Sequence, residues 1–196
     1  MKRGIEISLV VPVYGVEKYI AEFARSVLSQ SYQNVQYVFV NDGTKDNSIK
    51  VLNELIDKEF AYLRDKVLIV DKPNGGLPAA RKTGLEHVTG DYVYHVDPDD
   101  WLSEGSLEAI ADCASKTDAD VIYFNYVKEY ENRVSVKKER IYDSDQRSKY
   151  IRNMYNHVSF GTLCNKCIRR QLFLDNTIYV PKYGYAEDCY VSTQVV

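Results

Sequence analysis

The sequence of 196 residues is poor in cysteine and lacks any long apolar run. Its four cysteines are too few for a disulfide-stabilised scaffold of this length. The longest apolar stretches, such as residues 9–13, are far shorter than the roughly 20 residues of a membrane-spanning helix. Residues 1–6 carry charge and no apolar segment of signal-peptide length. We therefore expect a cytoplasmic protein with reduced thiols, and peripheral association with the inner face of the membrane stays open.

An excess of positive charge is also absent. Lys and Arg number 25 and Asp and Glu number 28, which gives a formal net charge of −3. Such a chain has no broadly basic surface for DNA or RNA, so we expect no nucleic-acid partner. Hydrophobic residues make up 45% of the sequence, which is typical of a globular protein and excludes intrinsic disorder. The length suits one domain of about 150 residues or slightly more.

The sequence does contain a regular alternation of strand-like and helix-like segments. Short β-branched runs predict strands, and longer runs with apolar residues spaced three or four apart predict helices. The predicted strands are 7–13, 35–40, 67–70, 92–96 and 121–126. The predicted helices between them are 16–30, 46–60, 77–87 and 102–115, the last with Ser103 as its N-cap. This order favours an α/β fold with a mostly parallel sheet flanked by helices.

The second half of the sequence follows a different pattern. Residues 128–142 are polar and alternating, which predicts a hairpin or an edge excursion, and helices are predicted at 145–155 and 166–173. The chain ends at Val195 and Val196 without a helix-stop signal, as a chain truncated within a helix would. Tyrosine is abundant, with 17 residues against 6 Phe and 1 Trp. Its rings suit a half-buried core, and they also suit a surface that stacks on sugar rings.

Acidic residues follow the fourth predicted strand, where residues 97–101 read Asp-Pro-Asp-Asp-Trp. Two unit charges about 4 Å apart repel by roughly 4 kcal/mol at an effective dielectric constant of about 20. A turn that gathers Asp97, Asp99 and Asp100 therefore favours a bound cation. Ligands that are all oxygen atoms favour Mg²⁺ or Mn²⁺. The alternative is a solvated acidic turn that caps the next helix.

Two further segments place polar residues near the carboxyl ends of the strands, where ligands of such sheets bind. Asp42 follows the second strand and can accept hydrogen bonds from a ring N–H or a ribose hydroxyl, whereas a simple turn explains its neighbours. Gly75 and Gly76 precede a helix that carries Arg81 in its first turns. A guanidinium there suits a pyrophosphate, and a glycine turn with a surface arginine is the alternative.

Two pairs of residues late in the chain are also candidates. Glu187 and Asp188 are adjacent carboxylates at a predicted helix start. They either stabilise the helix dipole, or one of them acts as a general base. Cys164 and Cys167 form a single C-x-x-C pair, and a zinc site needs two more ligands that the nearby sequence does not supply. We therefore assign no metal to this pair.

Taken in order, these segments resemble those of the family 2 glycosyltransferases of the GT-A fold, from about residue 7 to the end of the chain. The resemblance rests on eight stretches in register, namely 8–14, 19–32, 41–48, 74–81, 89–92, 97–101, 165–170 and 187–188. It implies a Rossmann-like GT-A domain over residues 1–196 with an acceptor-side extension. Residues of about 1–101 would bind the nucleotide sugar, and residues of about 102–196 would bind the acceptor.

The resemblance also implies roles for single residues, carried over position by position. The nucleotide-sugar donor would be bound by Pro12, Tyr14, Asp42, Arg81 and Asp97. Of these, Asp42 would face the uracil edge and Asp97 the ribose. Asp99, together with Asp100, would hold a divalent cation, Mn²⁺ or Mg²⁺, on the diphosphate. Asp188 would be the base that deprotonates the acceptor hydroxyl, with Glu187 beside it.

The implied function is inverting, metal-dependent transfer of a sugar from a nucleotide-diphosphate sugar, a UDP-sugar, to a hydroxyl of a saccharide or lipid-linked saccharide. Such a reaction belongs to the synthesis of cell-surface polysaccharides or glycans. The alternative is a non-catalytic module that binds sugar nucleotides, which the abrupt C-terminus motivates. A nucleotidyltransferase is disfavoured, because no glycine-rich loop with Arg and Lys follows the first strand.

Overall fold

The computed structural model describes the chain from Gly4 onward, with short gaps in its second half. The described residues are 4–130, 132–140, 142, 145–156, 158, 160–175, 178, 180–181 and 187–194. The strands found in them are Ile7–Val13 (β1), Val35–Asn41 (β2), Val67–Asp71 (β3), Tyr92–His95 (β4), Val121–Tyr123 (β5), Tyr126–Tyr130 (β6), Arg133–Lys137 (β7) and Lys166–Arg169 (β8). The α-helices found in them are Ile20–Leu28 (α1), Ser48–Glu59 (α2), Leu77–Leu85 (α3), Ser106–Thr117 (α4), Arg147–Tyr155 (α5), Arg170–Leu174 (α6) and Glu187–Gln194 (α7). A 3-10 helix, Ala61–Lys66, precedes β3.

Six of these strands form one sheet in the order β3-β2-β1-β4-β8-β5, and β6 and β7 form a separate hairpin. Strand β1 is parallel to its neighbours β2 and β4, and β2 is parallel to β3. Strand β8 runs antiparallel between β4 and β5. The predicted α/β fold with a mostly parallel sheet is therefore confirmed. The hairpin predicted after residue 126 is also present.

The prediction of a helix over 166–173 is wrong for its first half. Residues Lys166–Arg169 form β8, and helix α6 covers only Arg170–Leu174. Strands β4 and β5 offer backbone partners on both sides of this segment, and Cys167 and Ile168 are buried between them. Tertiary pairing of this kind overrides the weak helical preference of a short segment.

Helices α1, α2 and α4 lie on one face of the sheet. In α1, the buried positions match the apolar spacing from which the helix was predicted. Its buried residues are Ile20, Phe23, Ala24, Val27 and Leu28. They follow the three-and-four spacing of an amphipathic helix, and they join the larger core cluster beneath the sheet. The predicted amphipathic helix is confirmed, although it begins at Ile20 rather than at residue 16.

Helix α4 begins later than predicted, and its start has a local cause. Gly105 precedes it with a φ of 74°, in the left-handed region that glycine adopts without a Cβ clash. The helix therefore starts at Ser106, and Ser103 is not its N-cap. The residues between β4 and α4 are left as an extended turn that holds Asp97, Asp99 and Asp100.

Helix α3 covers the opposite face of the sheet and approaches it closely. A Cβ on Gly84 would lie 2.3 Å from Cγ1 of Val10, so only glycine allows this approach between α3 and β1. The contact brings Arg81, which lies on α3, down to the carboxyl end of the sheet. Among the helices that the structure describes, none is long and apolar enough to cross a bilayer.

Candidate functional site

The loops that follow β1, β2, β3 and β4 meet at one edge of the sheet, because these strands are parallel and end together. Two hydrogen bonds join the first two loops. The amide of Gly15 donates to Oγ1 of Thr44 over 2.9 Å. The amide of Asp42 donates to the carbonyl of Val13 over 3.1 Å. The turn that carries Tyr14 is thereby held beside Asp42.

Pro12 and Tyr14 supply apolar surface at this edge. Pro12 is buried near the end of β1, opposite Val40 of β2. It has no amide hydrogen to donate to a further ladder bond, and the pairing of β1 with β4 ends at Val10. Tyr14 follows the strand with 53% of its surface exposed. An exposed phenol ring beside a buried strand end is suited to stacking on a flat ligand.

Asp42 is 2% exposed, and its carboxylate is held by the loop that follows β3. Its Oδ1 accepts a hydrogen bond from the amide of Gly75 over 2.9 Å and pairs with the ammonium of Lys72. Its Oδ2 accepts one from the amide of Gly76 over 2.8 Å. These contacts with the Asp42 carboxylate hold the loop after β3 in its position. Asp42 therefore stabilises the structure of the site.

Arg81 lies at the centre of a buried ion cluster. It is 1% exposed, so the alternative interpretation of a surface arginine is wrong. One terminal nitrogen, Nη2, donates to Oδ1 of Asp97 over 2.8 Å. The other, Nη1, donates to Oε1 of Glu187 over 2.8 Å and to Oδ1 of Asp188. One guanidinium therefore joins the turn after β4 to the first residues of α7.

The ionisation of this cluster follows from its charges. Burial alone would lower the pKa of Arg81, but Asp97, Asp188 and Glu187 raise it above its ordinary value. Burial raises the pKa of Asp97, and the ion pair with Arg81 opposes that rise only in part. One positive charge faces three carboxylates here. The cluster carries an excess of negative charge, which favours a further cation.

A second group of ligand atoms lies next to this cluster. An oxygen of Asp97, an oxygen of Asp100 and the Sγ of Cys164 all lie within 4.8 Å of one another. Burial and the charges of Asp99 and Asp97 raise the pKa of Asp100. Carboxylates crowded in this way fit the divalent cation that the acidic turn predicts. The sequence pattern groups Cys164 with Cys167 and does not predict its position near Asp97 and Asp100, because these acids lie about 65 residues earlier in the chain.

Asp99 and Asp100 also face a cleft of about 900 Å³ between helix α4, strand β5 and the β6–β7 hairpin. Its walls are rich in aromatic rings, which are those of Tyr94, Trp101, Tyr123, Phe124, Tyr126 and Tyr130. Rings of this kind bind the apolar faces of sugars while their hydroxyls hydrogen-bond. The cleft therefore places an aromatic surface next to the acidic turn.

Lys166 is a buried cation that sequence reasoning placed in the family motif without a role. Its ammonium donates to the carbonyls of Phe160 and Thr162 and to Oδ1 of Asn165. Burial lowers the pKa of Lys166 to about 8. These bonds fold residues 160–166 into a compact loop, from which the amide of Leu163 reaches Oδ2 of Asp188 over 3.4 Å. The loop thus steadies the second oxygen of Asp188.

The structure brings the sequence-predicted residues together in three groups. Arg81 contacts both Asp97 and Asp188. Asp97 also converges with Asp100, and Asp99 is exposed between them. Pro12, Tyr14 and Asp42 form the third group at the ends of β1 and β2. The segment 182–186, which leads into Glu187, lies outside the described residues.

The chain is similar in sequence to a known protein family. The family described as "Glycosyl transferase family 2" matches residues 8–176. Glycosyltransferase GlyA of Streptococcus pneumoniae serotype 4 is 34% identical over 154 residues, which are 79% of this chain and 21% of GlyA. This chain therefore spans about a fifth of that relative.

Two solved structures share the fold. S. aureus TarS 1–349 in complex with UDP-GlcNAc has a TM-score of 0.75 at 22% identity, with 97% of this chain and 53% of TarS covered. The mannosyltransferase PcManGT from Pyrobaculum calidifontis, in complex with GDP-Man and Mn²⁺, has a TM-score of 0.70 at 16% identity. That match covers 99% of this chain and 52% of PcManGT. This chain spans about half of either structure.

Proposed function

This chain belongs to glycosyl transferase family 2, and from that premise we propose that it transfers a sugar from a UDP-sugar to an acceptor hydroxyl with inversion at the anomeric carbon. The acceptor is a saccharide or lipid-linked saccharide, and the product is a cell-surface polysaccharide or glycan made on the cytoplasmic side of the membrane. One observation carries the proposal, namely the guanidinium of Arg81 that contacts both Asp97 and Asp188.

The donor is proposed to lie along the edge formed by β1, β2 and β4, in the half of the chain before residue 102. Tyr14 offers its exposed ring to the base. Oδ2 of Asp42 accepts one hydrogen bond among the described residues, and a carboxylate oxygen has room for a second, from a ring N–H. The TarS complex with UDP-GlcNAc supports UDP, whereas the PcManGT complex contains GDP-Man. A donor screen therefore includes both nucleotides.

The acidic turn is proposed to receive the diphosphate. A divalent cation held by Asp99 and Asp100, with Asp97 beside them, would offset the charge of the departing nucleoside diphosphate. Support comes from the raised pKa values of Asp97 and Asp100, because burial and then the charges of neighbouring acids oppose the ionisation of each carboxylate. Asp97 keeps its bond to Arg81 and is proposed to contact the ribose.

Asp188 is proposed as the base. Arg81 pairs with one oxygen of its carboxylate, and the amide of Leu163 donates to the second oxygen. A base takes the proton of an acceptor hydroxyl when the two oxygens come within about 2.6–3.2 Å in the bound complex. The hydroxyl then attacks the anomeric carbon opposite the diphosphate, which inverts the configuration. No covalent bond to the protein forms.

The test is a donor screen that measures release of nucleoside diphosphate by the wild type and by Asp188→Asn. The asparagine keeps the shape of the side chain and cannot take the proton. We expect turnover to fall by about 10²–10⁴-fold, because this is the usual contribution of general base catalysis. Binding of UDP with Mn²⁺, read as a thermal shift, should persist in the variant.

The matched control is Asp112→Asn. Asp112 pairs with Lys116 on the exposed face of α4, and its side chain is 62% exposed. This variant should keep full turnover. A wild type that binds UDP but releases no diphosphate from any donor would favour the non-catalytic module instead. Equal turnover in the wild type and Asp188→Asn would remove Asp188 from the mechanism.

A further inference from the structure

Cys164 lies where the proposed chemistry has no use for a thiol. Its sulfur is within 4.8 Å of carboxylate oxygens of both Asp97 and Asp100. It also lines the aromatic cleft into which the acidic turn opens. Cys167, its partner in the C-x-x-C pair, is fully buried on β8. The two cysteines therefore have separate surroundings, and only Cys164 faces the acids.

The position of Cys164 is fixed by the same strand that leads to the acidic turn. Oη of Tyr94, on β4, donates to the carbonyl of Cys164 over 3.0 Å. Lys166 binds the loop on either side of the cysteine through Thr162 and Asn165. The backbone of Cys164 is thereby fixed relative to the strand that leads to the acidic turn, and a ligand set requires such a rigid support.

The distances suit a shared cation. Zinc binds thiolates at about 2.3 Å and carboxylates at about 2.0–2.2 Å, so two ligands of one ion lie roughly 3–4.5 Å apart. The side chain of Asp100 is exposed, so its rotamer can adjust when an ion binds. Soft thiolate ligands select zinc-like ions, whereas carboxylates alone suit Mg²⁺ and Mn²⁺. The thiol thus changes which ion the acids prefer.

We propose that Cys164 is a further ligand of the divalent cation at the acidic turn, on the side of Asp97 and Asp100, and that it gives the site a preference for thiophilic ions such as Zn²⁺ and Co²⁺. The inference rests on the cation dependence in the proposed function. When such an ion binds, the thiol gives its proton to solvent and the sulfur forms the bond to the metal, with no change of oxidation state. Mg²⁺ leaves the proton in place and binds through oxygen atoms only.

The experiment titrates Co²⁺ into four proteins and records the thiolate-to-cobalt charge-transfer band in the near ultraviolet. The proteins are the wild type, Cys164→Ser, Cys113→Ser and Asp100→Asn. Cys113 lines the same cleft but lies outside the three-ligand group. We expect the band in the wild type and in Cys113→Ser, and its loss in Cys164→Ser. It should also be lost in Asp100→Asn, which keeps all four thiols.

A second measurement follows Zn²⁺ and Mn²⁺ binding to the same proteins. Cys164→Ser should weaken Zn²⁺ by on the order of tenfold or more and leave Mn²⁺ within about twofold, as loss of a soft ligand requires. Far-ultraviolet circular dichroism checks folding, and Cys164→Ala repeats the test with an apolar residue. A band that survives in Cys164→Ser, or that is absent from the wild type, overturns the proposal.

The two proposals fail in different ways. A wild type that binds UDP with Mn²⁺ but shows no cobalt band contradicts the cysteine ligand and leaves the proposed function intact. A wild type that shows the band but never binds UDP or a nucleotide sugar contradicts the proposed function and leaves the cysteine ligand intact. Equal loss of Zn²⁺ and Mn²⁺ affinity in Cys164→Ser contradicts the preference for thiophilic ions.

Discussion

Asp42 and the turn of Asp97 to Asp100 lie at the same edge of the sheet, but their surroundings differ. The carboxylate of Asp42 is met by two backbone amides and an ammonium. The carboxylates of Asp97 and Asp100 are crowded by other acids, with Arg81 as a shared cation on Asp97. The charge of Asp42 is therefore balanced by a group of the protein itself. The acidic turn has more negative charge than the described residues balance, and a ligand can supply what it lacks.

The largest effect should come from removing Arg81. Arg81→Met leaves Asp97, Glu187 and Asp188 without the cation that they contact in the structure. Loss of one partner from a buried ion pair costs about 3–5 kcal/mol of unfolding free energy. Urea denaturation measures this loss. The control is Arg25→Met, because Arg25 is 53% exposed in its pair with Glu59 and should contribute only about 0–1 kcal/mol. Similar losses in both variants would contradict the buried cluster.

A smaller effect should follow Asp42→Asn, at the carboxylate whose charge Lys72 balances. The asparagine keeps one oxygen for one of the two glycine amides, but its nitrogen faces the amide of Gly75 or Gly76 and cannot accept a hydrogen bond from it. The expected cost is about 1–3 kcal/mol, whether or not a divalent cation is present. Denaturation with and without Mn²⁺ tests this. The control is Asp71→Asn, on an exposed carboxylate at the end of β3, which should change little.

The smallest effect, and one of opposite sign, is expected for Asp100→Asn. The folded state raises the pKa of Asp100, so this group favours folding at acid pH, and its contribution is lost as the pH rises through the raised value. The variant should therefore be more stable than the wild type at pH 7 without metal, by under about 1 kcal/mol. Mn²⁺ should reverse that order, because it stabilises only the wild type. Destabilisation without metal would contradict the charge imbalance.

Asp46, which lies near Asp42 in the sequence, should change the unfolding free energy with pH in the opposite direction to Asp100. Burial opposes its ionisation, but hydrogen bonds from Ser48 and Thr44 lower the pKa of Asp46 from 3.8 to about 2. Its contribution to stability is present above pH 3.8 and is lost as the pH falls toward 2. Unfolding free energies of Asp46→Asn measured from pH 2 to pH 7 should show a flatter acid limb than those of the wild type.

The sequence was sufficient for the parts of the fold that repeat a simple pattern. The apolar spacing of α1 and the β-branched runs of β1 and β2 predicted those elements, because their burial follows directly from the period of the residues. Strand β8 was missed, since its conformation depends on two strands that are distant in sequence. Short segments of this kind carry little information about their partners.

The residues of the candidate site likewise include some that the sequence predicted and some whose contacts it could not predict. The acidic turn and Asp42 were found because they follow predicted strands directly. The burial of Arg81 was left open between a surface and a ligand-binding position, since it depends on acids that arrive with α7. The place of Cys164 beside Asp97 depends on a loop fixed by Tyr94 and Lys166. No local pattern in the sequence encodes either contact.

Strand β8 has a consequence for the order in which the chain can fold during synthesis. Because β8 comes from the second half and pairs with β4 in the first, β4 stays an open edge until residues 166–169 leave the ribosome. Open edges of this kind pair with other chains and promote aggregation. A fragment that stops near residue 101 should therefore be prone to self-association, and the nascent chain passes through the same exposed state.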